Sequence, residues 1–193
     1  MAPHQTVTRA ETGGLASGTE AYYSFDYAHL HFVCLDSHDL SRQPGDPMAS
    51  WLKADLEKTK ADWVIAFWHH PPYTKGSHDS DKETDLTEMR KLIMPIVEAG
   101  GVDLVLTGHS HIYERSMLMD GAYATPTASD NVILDDGDGD PDGDGPYRKS
   151  KGIHATKAPC KSSPATRARR SAAAARCPSC AAPSSSTAPS LWM

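Results

Sequence analysis

The residues best suited to chemistry are histidines gathered at two places. Gly108-His109-Ser110-His111 sets two imidazoles two residues apart, and His69-His70-Pro71-Pro72-Tyr73 holds a second pair, with His78 nine residues after His69. Imidazole is a ligand for ions such as zinc, iron and nickel. Two of them on one short loop can point at two adjacent ions. Gly108 is expected to let the backbone turn sharply where the first motif begins.

Both clusters follow short apolar runs of strand length. Trp63–Trp68 is continuously apolar, as strands buried on both faces tend to be, and ends at His69. Val102–Thr107 is a second such run and ends at Gly108. Upstream, Tyr22–Tyr27 and Leu30–Asp36 are rich in β-formers around a short break and predict a hairpin. Met48, Trp51, Leu52 and Leu56 mark one face of a helix opened by Pro47. Leu86, Met89, Leu92, Ile93, Ile96 and Val97 mark a second helix, closed by Gly100-Gly101. Strands alternating with helices predict an α/β layered fold, in which chemistry gathers in loops at the carboxyl ends of strands. Cys34, inside an apolar run, is expected to be a buried thiol.

These residues also carry a resemblance. WVIAFWHHPPYTKGSH and LTGHSHIYERS resemble the last two metal-binding motifs of calcineurin-like metallophosphoesterases, most closely the purple acid phosphatases, with YSFDYAHLHFVCLDS in support. The likeness spans roughly residues 20–155. It implies an α-β-β-α sandwich and a dinuclear centre pairing iron with zinc, manganese or a second iron. It also implies hydrolysis of a phosphate monoester by two-metal activation of water. By position, His69 and His109 resemble ligands of one divalent ion, and His111 the ligand of its neighbour. His78 resembles the histidine that assists substrate binding or leaving-group protonation. Glu114 and Arg115 are expected to orient the ligand loop, and His70 stands where the family has no ligand.

The sequence also departs from that family. The motifs GDxG, GDxxY and GNH, which supply the remaining ligands, do not precede the histidines. The chain therefore reads as the C-terminal part of a phosphoesterase domain, an incomplete sandwich with an unpaired sheet edge and a poor catalyst by itself. A non-catalytic remnant with weak metal binding is the alternative.

The charge is split along the chain. Residues 1–144 hold 25 acidic and 10 basic side chains, whereas residues 145–193 hold 9 basic and no acidic ones. Residues 1–19 read as a loose lead-in and 20–156 as the partial phosphoesterase domain. Residues 157–193 form a low-complexity tail of Ala, Ser and Pro that cannot hold a core, or that is translated out of frame. Its Arg167–Arg170 run lacks the interleaved aromatics of a nucleic-acid surface, and no nucleic-acid partner is expected. The acidic stretch 135–145 opens like a calcium loop at Asp138, Asp140 and Asp142. Lys149 stands where an EF-hand needs glutamate, so a solvated loop is the first reading and weak calcium or polyanion binding the second. No apolar run is long enough to span a membrane, and no signal-peptide core opens the chain. Family resemblance implies frequent secretion or a periplasmic location, which leaves the compartment open, as it does the oligomeric state.

Overall fold

A computed structural model describes residues 13–128 and 131–147. The hairpin forms as the β-formers dictate. β1 (Tyr23–Tyr27) pairs antiparallel with β2 (Leu30–Cys34), Tyr27 opposite Leu30. Ala28 in the two-residue turn takes a φ of 54°, the sign that tight hairpin turns require.

Parallel strands need a crossover, usually helical, and the next two strands have one each. α1 (Pro47–Lys58) leads into β3 (Trp63–Trp68), which lies parallel to β2. A helical stretch over 84–99 leads into β4 (Leu104–Thr107), parallel to β3. The sheet order is β1-β2-β3-β4, and a separate antiparallel pair joins β5 (Leu118–Met119) to β6 (Ile133–Asp135). The α/β class is thus the one that the alternating pattern predicts. No described helix is long and apolar enough to cross a membrane.

The core lies between the sheet and its helices. Val33, Val64, Ala66 and Val105 from the strands join Met48, Leu52 and Leu56 from α1, with Met89, Ile93 and Val97 from the second helical stretch. The other sheet face differs from the expectation for β3. Trp63, Ile65 and Phe67 are only half-buried, as are Phe25 and Phe32, and Leu106 is 51% exposed. Cys34 belongs to this face and is half-buried rather than sealed in the core. Strand alternation explains both corrections, since successive side chains point to opposite faces and only one face is packed by helices.

The second helical stretch is also not uniform. α2 (Thr84–Glu88) passes into a π-helical turn, Met89–Ile93, and then into α3 (Met94–Ala99). Pro95 accounts for the break, because it has no N–H for the carbonyl one turn back and its ring clashes there. The wider turn rotates the buried stripe. Met94 and Glu98 are buried, while Leu92 and Ile96, expected on the buried face, are only half-covered. Cys160, Cys177, Cys180 and the basic tail lie outside the described residues.

Candidate metal centre

Parallel register brings the two histidine clusters together. Trp68 pairs with Thr107, so His69 and Gly108 emerge side by side, and the Gly108 N–H donates to the His69 carbonyl at 3.0 Å. The sharp turn falls on His109, at φ 64°, rather than on Gly108 as expected. A non-glycine residue with positive φ is uncommon, and here it sits at the candidate site. A Cβ at Gly108 would meet His69 Nδ1 at 3.4 Å, an ordinary contact distance, so the ring packs directly against this glycine.

The result is a cluster of imidazoles. His109 Nδ1 lies 3.1 Å from His69 Nε2, and the His78 and His109 rings stand 3.8 Å apart. His69, His70 and His109 form one set of donors within reach of a single ion, and His78, Glu83 and His109 form another. His111 is exposed, outside both sets, with its N–H donating to Ser77 Oγ at 3.0 Å. Two nitrogens bound to one zinc ion at ordinary lengths lie about 3.3 Å apart, so the His69–His109 separation fits a shared ion. Burial foremost, with neighbouring imidazoles adding, lowers the pKa of His69, and burial also lowers that of His70. Both are thereby held in the neutral form that ligates.

Several groups hold these rings in place. The His70 Nδ1 lies 2.8 Å from the Ser37 carbonyl, which can only accept, so Nδ1 carries the proton and Nε2 keeps its lone pair. By the same logic His78 Nδ1 donates to Glu83, 2.9 and 3.0 Å from its two oxygens. Burial would raise the Glu83 carboxyl, but the Asp79 N–H and His78 outweigh it and hold it low. Glu114 ties the two loops: it accepts from the Thr74 hydroxyl at 2.6 Å and from the Lys75 N–H at 3.2 Å. Arg115 is exposed, and its charge acts on Asp138 and Tyr147 across the acidic loop.

The loop from Pro72 to Asp81 is pinned from below by Arg90. This fully buried guanidinium donates to the Pro72 carbonyl and to Thr125 and Thr127, and pairs with Asp81 at 2.8 Å. Ser37, Glu83 and Arg90 were not singled out by sequence. Only Glu83, five residues after His78, is close enough in sequence to have given a signal. Asp138, Asp140 and Asp142 are exposed, and Asp138 and Asp140 accept N–H groups of their own loop at 2.7 and 3.0 Å.

A family model described as calcineurin-like phosphoesterase matches residues 5–113. The chain belongs to the calcineurin-like phosphoesterases. Among similar phosphoesterases is purple acid phosphatase 18 of Arabidopsis thaliana, 34% identical over 125 residues, covering 63% of this chain and 28% of that protein. Purple acid phosphatase 23 of the same plant is 33% identical over 135 residues, covering 68% and 28%. This chain therefore spans little more than a quarter of such relatives. A solved purple acid phosphatase from yellow lupin seeds is similar at 19% identity and a TM-score of 0.45, over 53% of this chain and 19% of that one.

Proposed function

We propose that this phosphoesterase chain contributes to metal-dependent hydrolysis of a phosphate monoester. The supporting observation is the His69 Nε2–His109 Nδ1 pair, 3.1 Å apart, with the His78 ring tilted against that of His109, centroids 3.8 Å apart. His69 and His109 would hold one divalent ion, and His111 would serve its neighbour, iron in the purple acid phosphatases. The chemistry such ions supply is Lewis-acid polarisation of a phosphoryl oxygen and a water made nucleophilic near neutral pH.

The chain's own residues do the rest. Glu83 retains the proton on His78 Nδ1, which leaves Nε2 to face substrate. A protonated His78 would pass its Nε2 proton to the departing alkoxide as general acid. Glu114, bridging Thr74 and Lys75, keeps the two ligand loops in register, so that donors and acid share one frame.

A second reading, a chain that holds one ion weakly without turnover, is favoured by the placing of His111 outside both donor sets. Reconstitution with iron, zinc or manganese, followed by hydrolysis of a chromogenic phosphate ester, separates the two. Turnover abolished by His109→Ala supports hydrolysis. No turnover with any metal supports the second reading.

A further inference from the structure

The donors that face away from His69 form a second arrangement. His109 turns Nδ1 toward His69 and Nε2 toward Glu83, whose Oε2 lies 3.6 Å away. The same Oε2 is 2.9 Å from His78 Nδ1. All three donor atoms lie within 4.8 Å of one another. The carboxylate is fixed from behind, because the Asp79 N–H donates to Glu83 Oε1 at 2.9 Å. All three side chains are partly exposed and can be reached from solvent.

We propose that His78, Glu83 and His109 form a site of their own for a single zinc ion, with Glu83 as the carboxylate ligand. Two imidazoles and one carboxylate are a sufficient protein set for zinc, with a fourth position left for water. Ligands at about 2.0–2.2 Å from zinc stand roughly 3.3 Å apart, and the two separations from Oε2 bracket that value. Binding replaces the proton on His78 Nδ1, which leaves to solvent, so zinc affinity falls in acid. The site uses Nε2 of His109 and does not involve His69; because zinc here takes Nδ1 of His78, the histidine that acts as general acid in the hydrolytic reading is the zinc-free one.

Zinc titration of the metal-free full chain, followed by calorimetry, tests it. Glu83→Gln and His78→Ala should each weaken zinc binding by at least tenfold, while His29→Ala, at an exposed histidine of the hairpin turn, should leave it within about twofold, circular dichroism verifying the fold of each variant. Equal affinity of Glu83→Gln and the unaltered chain, or of His78→Ala and the unaltered chain, overturns the proposal. X-ray absorption of the zinc-loaded unaltered chain gives an answer even where a variant fails to fold. Two imidazoles with a carboxylate oxygen support the site; three or more imidazoles, or no bound zinc, overturn it. Loss of phosphatase activity with zinc binding intact would count against the hydrolytic reading alone.

Discussion

His31 Nε2 lies 2.8 Å from Asp55 Oδ2, with the imidazole fully buried and Asp55 only 1% exposed. The other ring nitrogen faces Asp26 at 2.6 Å. Carboxylates only accept, so both nitrogens carry protons and the ring is an imidazolium. Asp55 also accepts from the Ser24 hydroxyl at 2.8 Å and the Leu15 N–H at 2.7 Å. One buried ion group thus joins the segment before β1, the hairpin and α1.

This group makes stability depend on pH. Burial alone would lower the His31 pKa, but Asp55 and then Asp26 outweigh it and the net shift is upward. A raised histidine contributes stability that is complete below its unfolded value of about 6.5 and is lost as pH rises through the folded value. The melting temperature should therefore fall between pH 6 and pH 9. His31→Gln should flatten that fall and cost about 3–5 kcal/mol near pH 6, by stranding Asp55. Thermal melts across the pH range check both.

Arg90 should be as sensitive. Replacing it with Met removes the support under the Pro72–Asp81 loop, strips the Pro72 carbonyl of its buried donor and leaves Asp81 with Lys75, 2.9 Å away, as its remaining ionic partner. A loss of about 3–5 kcal/mol in urea unfolding is expected. Arg90→Lys should recover little, since one ammonium cannot reach the carbonyl, hydroxyl and carboxylate partners that a planar fork serves together.

Tyr147 offers a spectroscopic reading. Its buried hydroxyl donates to the Gly137 carbonyl, 2.6 Å away, with the Ser116 carbonyl at 3.1 Å, and burial pushes its pKa up to about 12. Ultraviolet titration should show a tyrosine that ionises well after the exposed ones. The folded state holds this proton longer than the unfolded chain, so stability should fall as pH rises from about 10 toward 12. Tyr147→Phe should remove the late step and cost about 1 kcal/mol.

Gly76 marks the crossing of the two ligand loops. A Cβ there would overlap the Ile112 methyl and lie 2.6 Å from the Ser110 hydroxyl. Gly76→Ala should lower stability by about 1–3 kcal/mol, as overpacking does, and weaken metal retention because the His109 loop must shift. Calorimetric melting with and without zinc measures both effects.

The hairpin, α1, β3 and the placing of His69 and His109 at strand ends were legible in the sequence because each rests on local periodicity. What was not legible depends on residues distant in the chain. Arg90 reads as one polar residue on a helix, and only folding brings it beneath Pro72 and Thr127. Ser37 reads as an ordinary loop serine until it meets His70, 33 positions on. The positive φ of His109 arises from the turn itself, one residue beyond the glycine whose type favours it. The covering of β3 depends on what packs against each sheet face, which the run of apolar residues could not specify.

The register that sets Trp68 opposite Thr107 also has a kinetic consequence. His69 and His109 are 40 residues apart in the chain and stay apart until the helical crossover is complete and β4 has docked. Closing such a loop is costly and rewarded only at the end. Histidine proximity is therefore a late event, and an ion added during refolding meets a chelating pair only once the sheet is in register. A metal-sensitive probe would thus time the final strand docking rather than the first collapse.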